Sequence, residues 1–353
     1  MKVLFAIPNF RGGGAEGVFI QIANYLCDKY TIEFIVLKKD GVNLEKLDES
    51  IKVRELNKKS SIRAVFKINE YINKNSFDVV IGTLAMAHAI SIAKFFNRQS
   101  SCKYIARLGN TITSDLDNYS GFKRVIMRFY QKVLAFADVV ICQSKFMEKD
   151  LKKYCSCKVV QIYNPINLKS VQILAEVDIK NSFENNEFCI LSIGRLSFQK
   201  DYKTGILGFS KFLNENKDAK YYILGDGILK QELINYVNEL KISNNIIFLG
   251  HVSNPYPYLK KASALLLTSL YEGFSNVILE SLALKTPVIA TNSPGGNAEI
   301  IEESKNGFLV PVKDDIEIAK RLQKIKDGQS FDMDVFNFDI KIIGEEYAKL
   351  FRK

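Results

Sequence analysis

Short apolar runs rich in β-branched and aromatic residues recur along this chain, with stretches of helical period between them, and this alternation limits the fold more than any other feature. In the first half the runs are KVLFAI (2–7), IEFIVL (32–37), KVREL (52–56), DVVIG (78–82), CKYIARL (102–108), DVVIC (138–142) and KVVQIY (158–163). Strands this hydrophobic, separated by crossovers long enough to hold a helix, predict a parallel sheet buried on both faces. That is a doubly wound α/β domain.

After YNPIN (163–167) the pattern stops for about twenty polar residues and starts again. FCILSIGRL (188–196), KYYILGDG (220–227), NIIFLG (245–250), ALLLTS (264–269) and PVIAT (287–291) read as strands, with helices expected at roughly 203–215, 228–240, 276–284 and 314–325. Pro165 restricts itself and the residue before it, which places a boundary near Asn164 and Pro165. The expectation is one domain at 1–165 and a second at 166–353, with the last helix, about 340–353, able to pack back on the first. Two Rossmann-like domains of this kind face each other across a cleft, and in open α/β sheets ligands bind at the carboxyl ends of the strands.

At 353 residues each half can bury its own core, and 47% hydrophobic with 25% charged residues is the balance of a folded chain. The opening MKVLFAIPNF is too short for a signal-peptide core, and no run of eighteen uncharged apolar residues occurs, so a cytoplasmic protein is expected. Six scattered cysteines fit reduced thiols better than a disulfide framework, and one C-x-C with two histidines in the chain argues against a zinc site.

The net charge of +10 is unevenly placed. Residues 1–165 hold 26 Lys and Arg against 15 Asp and Glu, and the rest hold 23 against 24. A one-sided field of this sign suits an anionic surface or substrate, such as phospholipid or a lipid diphosphate, although lysines that only keep the surface soluble would give the same excess. Nucleic acid is disfavoured, because no binding module or dense run of arginine and aromatics accompanies the excess. In 121–136, Phe122, Val125, Ile126, Phe129 and Val133 gather on one helix side while Lys123, Arg124, Arg128 and Lys132 take the other. The apolar side is expected to pack on the sheet, and the basic face to dock on anionic lipid.

The loops carry the chemistry. GGGAEG (12–17) matches G-x-G-x-x-G, yet four residues separate it from the first strand and the second strand ends in Leu37-Lys38-Lys39 instead of an acid, so the dinucleotide fingerprint fails. What remains is close backbone approach at Gly13 and Gly14, and a helix start from Ala15 that offers N–H groups to negative charge. SIGRLSFQKDYKT (192–204) sets Arg195 just past a strand and Lys200 five residues on; a planar fork and a flexible ammonium at one strand end suit a diphosphate.

YEGFSNVILESLALKTPVIA (271–290) carries Glu272 before a glycine and Glu280 eight positions later. A helical path of that length spans about 12 Å, whereas the two carboxyls of a retaining glycosidase stand about 5 Å apart. Separate hydroxyls of a long ligand are the better partners. Gly273 allows close approach, and Ser275 or Asn276 can cap the helix bearing Glu280. His88, early on a helix after a strand, either lines the acceptor side or is a satisfied packing residue, and His251 borders the loop before Val252. The D-x-D strings at 115–117 and 332–334 follow no clear strand and are read as chance.

GGGAE, GRLSFQKD and EGFSNVILESLALKTPVIATNSPGGNAEII together resemble the family-four retaining glycosyltransferases of GT-B fold, over nearly the whole chain. Those that read most like it build bacterial surface glycans on lipid-linked carriers. The resemblance implies a UDP-sugar donor held mainly by the second domain, a glycan or polyprenyl-diphosphate-linked acceptor held mainly by the first, no metal and no cofactor. It assigns Arg195 and Lys200 to the donor diphosphate, Glu280 to the ribose, and Glu272 with the backbone at Gly273, Phe274 and Ser275 to the sugar. Val252 falls where the base packs, and Gly13 and Gly14 face the donor. Where relatives often carry a histidine, this chain has Leu108, flanked by Arg107 and Asn110 as acceptor-side candidates. A chain of this kind is expected at the inner face of the membrane, peripherally attached. The competing readings are a GT-B nucleotide-sugar epimerase that transfers to no acceptor, and a nicotinamide enzyme or a binding protein without chemistry.

Overall fold

The computed structural model describes residues 1–97, 101–179 and 188–352, which divide into two compact units, Met1–Pro165 with Asn337–Lys353, and Ile166–Phe336. Residues 180–187, the end of the polar stretch noted above, lie outside the described residues.

The first unit runs β1 (Lys2–Ile7), α1 (Gly14–Leu26), β2 (Thr31–Val36), β3 (Lys52–Glu55), α2 (Val65–Asn75), β4 (Val79–Thr83), α3 (Ala85–Phe96), β5 (Lys103–Arg107), α4 (Ile112–Asp117), α5 (Gly121–Tyr130), β6 (Val139–Cys142), α6 (Lys145–Leu151) and β7 (Val159–Gln161). Its seven strands are ordered β3-β2-β1-β4-β5-β6-β7 and every pairing is parallel. The central strand explains why the sheet closes on both faces. Phe5 of β1 stacks on Phe34 of β2 at 5.2 Å and meets Phe19 of α1 edge-on at 5.3 Å, all three fully buried. Each such ring stabilises the fold by about 1.5–3 kcal/mol through area removed from water.

The second unit runs α7 (Leu168–Ala175), β8 (Cys189–Ile193), α8 (Tyr202–Phe212), β9 (Lys220–Leu224), α9 (Lys230–Glu239), β10 (Ile246–Gly250), α10 (Tyr256–Lys261), β11 (Ala264–Leu267), α11 (Asn276–Ala283), β12 (Val288–Thr291), α12 (Asn297–Ile300), β13 (Phe308–Val310) and α13 (Asp315–Lys326). Its sheet is ordered β10-β9-β8-β11-β12-β13, again all parallel. Both sheets therefore reverse direction beside their first strand, between β1 and β4 and between β8 and β11. That is the switch point at which doubly wound sheets bind ligands.

The final helix, α14 (Ile340–Phe351), belongs to the first unit and inserts Ile343, Tyr347 and Phe351 into its core. Asp339 caps it by accepting from the Lys341 amide.

Three features differ from the sequence expectation. The polar stretch after 167 begins with α7, capped by Asn167, whose side chain accepts from the Ser170 amide. A sixth strand, β13, is only three residues long and gives no periodic signal. The segment 121–136 is α5 followed by a 3-10 turn over 131–136, and its apolar side does not pack on the sheet: no residue of α5 is buried. Among the described residues, no helix is long and apolar enough to cross a membrane. All six cysteines are free.

Candidate active site

The second unit gathers its polar side chains where β8 and β11 end. β8 runs into Gly194 and exposed Arg195, then a 3-10 turn over Phe198–Lys200. β11 runs into Thr268, Ser269 and, three residues on, Glu272. The two loops are bound to each other along their backbones. Thr268 Oγ1 donates to the carbonyls of Lys200 and Asp201, each at 2.9 Å, the Leu270 amide donates to the Gln199 carbonyl at 2.8 Å, and Gln199 Nε2 donates to the Tyr271 carbonyl at 2.9 Å.

This zipper brings together two residues that are 72 positions apart. Lys200 Nζ donates to Glu272 Oε1 at 2.5 Å, and Ser269 Oγ donates to the same oxygen at 2.6 Å. Glu272 is buried, and its backbone is held from the other side, where its amide donates to the Pro294 carbonyl at 3.0 Å. Gly295 makes that approach possible: its φ is +140°, and a Cβ there would overlap the Glu272 carbonyl oxygen. Gly225, after β9, has φ +142° and crosses the Gly194 carbonyl equally closely, where a Cβ would overlap the Gly194 oxygen. Neither Gly295 nor Gly225 was singled out from the sequence. The run SPGG at 293–296 carried a turn signal, but not the contact that requires it.

Beyond Glu272 the chain enters α11 through buried Gly273, Phe274 and Ser275. Of the two expected caps, Ser275 occupies the N-cap position with extended dihedrals but its side chain makes no cap hydrogen bond, and Asn276 is the first residue of the helix. Glu280 lies half-buried about one turn along and accepts from Tyr256 Oη at 3.4 Å. Burial drives the Tyr256 hydroxyl pKa far above the ordinary range, with the Glu280 charge adding to it, so the phenol stays a donor. Val252 is half-buried in the loop after β10, and His251 beside it is exposed. Tyr256 is the residue here that sequence reading missed; its place at the start of α10, after Asn254 and Pro255, was its only local signal.

In the first unit the candidates separate. Gly13 is the N-cap of α1 and Gly14 its first residue, one position earlier than expected. The carboxylate of Glu16 folds over Gly13. The start of this helix therefore already carries an anion from its own chain, in the place where a capping-box acid sits. Arg107 corrects the acceptor-side expectation. It is 1% exposed, and its guanidinium donates to Thr83 Oγ1 at 3.2 Å, to Asn164 Oδ1 at 2.5 Å and to Tyr347 Oη at 3.2 Å, over the ring of Phe19. An arginine spent on three buried partners cannot reach an acceptor. Leu108 is also buried, so neither residue replaces the family histidine.

His88 on α3 is likewise engaged. Its Nε2 lies 2.9 Å from Gln131 Oε1, its ring stacks on Tyr130 with centroids 4.7 Å apart, and burial lowers its pKa below 6.5. It reads as the satisfied packing histidine of the two alternatives. Asn110 accepts from the Thr111 amide at 2.9 Å and donates to Asp115 at 3.2 Å. Of the D-x-D strings, Asp115 and Asp117 sit on α4, and Asp332 and Asp334 follow no strand. Among the described residues no group of three or more His, Cys, Asp and Glu is arranged to hold a metal ion.

Known proteins share this architecture. The Anabaena protein HepE, crystallised in complex with UDP, superposes with a TM-score of 0.79 over 99% of both chains at 19% identity. Two Campylobacter jejuni enzymes are similar in sequence. One, an alpha-1,4-N-acetyl-D-galactosaminyltransferase named for GalNAc-alpha-(1->4)-GalNAc-alpha-(1->3)-diNAcBac-PP-undecaprenol, is 28% identical over 99% of this chain and 98% of its own. The other, an N-acetylgalactosamine-N,N'-diacetylbacillosaminyl-diphospho-undecaprenol 4-alpha-N-acetylgalactosaminyltransferase, is 28% identical over 88% of this chain and 86% of its own. Fold and relatives together define a glycosyltransferase of GT-B fold. Two family models match the chain in succession: residues 12–170 match the model described as Glycosyltransferase Family 4, and residues 175–335 that described as Glycosyl transferases group 1. The epimerase reading finds no support among these relatives, which are named as transferases.

Proposed function

We propose that the chain moves a hexose or N-acetylhexosamine from a UDP-sugar to a glycan carried on a polyprenyl diphosphate, with retention at the anomeric carbon. The observation that carries this reading is the meeting of Lys200 and Glu272 at the switch point of the second sheet, beside exposed Arg195. A sugar diphosphate divides such a pair by chemistry. Its oxyanions take the ammonium and the guanidinium, and its sugar hydroxyls take the carboxylate. On this reading Glu280, which accepts from Tyr256, takes the ribose hydroxyls.

In the transfer step the bond from the sugar C1 to the diphosphate oxygen breaks and the acceptor oxygen bonds to C1 on the same face. The acceptor proton passes to a donor phosphate oxygen. Charge grows on the leaving UDP, and Arg195, Lys200 and the positive end of α11 stabilise it there. On this reading the two side-chain cations do the work that a metal does in other sugar transferases.

The basic excess of residues 1–165 and the undecaprenol diphosphate in the names of the Campylobacter relatives favour a lipid-linked acceptor and a protein peripherally attached to the inner face of the membrane. The test is a screen of UDP-sugars for UDP release with glycan acceptors on polyprenyl diphosphate, run with and without chelator. Acceptor-dependent release that survives EDTA is expected. Donor consumption that ignores the acceptor, or strict dependence on manganese, overturns the reading.

A further inference from the structure

The helix whose apolar side was expected against the sheet leaves that side in water. Phe122, Val125, Ile126 and Phe129 fall at i, i+3, i+4 and i+7 of α5 and are 79%, 47%, 51% and 60% exposed. The exposed apolar surface continues past the helix. α5 leads into the 3-10 turn that carries Phe136, whose ring packs on Phe95 of α3 at 4.6 Å; Phe95 meets Phe96 at 5.3 Å, and Phe96 meets Phe66 of α2 at 5.6 Å. All four of these rings are exposed. An apolar belt built by four elements of one unit is far from the scattered single residues that folded surfaces tolerate.

We propose that this belt is the face by which the chain inserts into the interface of an anionic lipid bilayer, with the aromatic side entering and the basic side remaining among the headgroups. Charge decides the occupant. Lys123, Arg124 and Arg128 are exposed on the same helix, Lys132 is exposed in the turn that follows it, and Arg63 and Lys67 flank Phe66. The Lys132 ammonium lies 4.9 Å from the centroid of Phe129, so charge and ring share one patch. The acid paired with this helix, Asp117, is bound to Arg124 at 2.6 Å. Protein interfaces are depleted in lysine, whereas amphipathic helices that lie on membranes combine lysine and arginine with phenylalanine and leucine. α5 is about 15 Å long, enough to lie in the interface plane and too short to span it. The inference deepens the proposed function, since a lipid-linked acceptor occupies the same bilayer.

The test sediments the full chain with vesicles of phosphatidylglycerol and phosphatidylcholine, and with phosphatidylcholine alone, and measures UDP binding in parallel. Wild type is expected to pellet with the anionic vesicles only. F122S/F129S and F66S/F96S, folded by circular dichroism, are expected to lose about tenfold or more in partitioning, the effect of taking two buried rings from the lipid contact. Their UDP affinity is expected to be unchanged. Wild-type pelleting by both variants overturns the proposal, as does equal binding to neutral vesicles, or a dimer in solution that F122S/F129S dissociates. Vesicle binding without UDP binding would sink the transferase reading and leave the docking face standing; UDP binding without vesicle binding would do the reverse.

Discussion

Lys200 Nζ and Glu272 Oε1 lie 2.5 Å apart and join the loops that follow the two strands flanking the switch point of the second sheet. Both groups are needed if the ammonium takes phosphate and the carboxylate takes sugar. K200A is expected to lower kcat/KM by about 10²–10³, the usual effect of removing one donor aimed at developing negative charge. E272Q keeps an acceptor for Ser269 but loses its charge, and is expected to lose activity with little change in melting temperature. Turnover at the wild-type level in either folded variant would remove that residue from the site.

Tyr256 positions Glu280 without being expected to touch the reacting atoms. Its hydroxyl donates over 3.4 Å, a long bond whose net worth is at the low end of the 0.5–1.5 kcal/mol range. Y256F should therefore raise KM for the UDP-sugar about threefold and leave kcat alone. E280A, which removes the charged acceptor itself, should raise KM by about tenfold or more. A kcat loss in Y256F with KM unchanged would contradict this division of roles.

Much of this architecture was legible because a doubly wound sheet advertises itself. β1, β2, β4 and β6 are near-continuous apolar runs, and no helix period imitates them. β13 escaped because three residues carry no period, and α7 because it lies in the stretch after 167 that reads as polar. Lys200 and Glu272 could each be placed at a strand end, but their contact depends on the zipper between Gln199 and Leu270, which no local pattern encodes. The two misreadings differ in origin. Arg107 is a candidate by its place beside the position of the family histidine, and α5 by the apolar side it offers to a sheet, and neither signal fixes burial. It is decided instead by partners far away in sequence, such as Tyr347 for Arg107, and by which helix side the chain path happens to leave uncovered.

Arg107 then carries a prediction about stability. R107M fills similar space but leaves Thr83, Asn164 and Tyr347 without their donor. Each buried polar group left unsatisfied costs about 1–3 kcal/mol, so a loss of about 3 kcal/mol in urea unfolding is expected. R107K should not rescue it, because one ammonium cannot match the planar fork. Activity per folded molecule should stay close to wild type. An R107M protein as stable as wild type but inactive would restore Arg107 to the acceptor side.

His88 makes the attachment of α5 sensitive to acid. Tyr130, on which the imidazole stacks, closes the helix, and Gln131, to which it bonds, opens the next turn. Burial lowers the His88 pKa, and its bonds to Gln131 and the Leu84 backbone offset that only in part. The folded state thus resists a proton that the unfolded chain accepts near 6.5. Stability held by the neutral ring is complete above that value and is lost as pH falls through it towards the folded-state pKa. Asp115 works with the opposite sign. Burial raises its carboxyl to about 6 against the pull of Asn110, with Asp150 adding repulsion, so its protonation favours the folded state as pH falls through about 6. Wild type alone therefore reports a difference between two groups. H88F keeps a ring to stack on Tyr130 and removes the imidazole titration together with the bonds to Gln131 and the Leu84 backbone, a loss that does not vary with pH. Between about pH 7 and pH 5 the urea midpoint of wild type should fall more steeply than that of H88F, and vesicle binding through α5 should weaken in step. Parallel midpoints for the two proteins would mean that His88 does not titrate in this range.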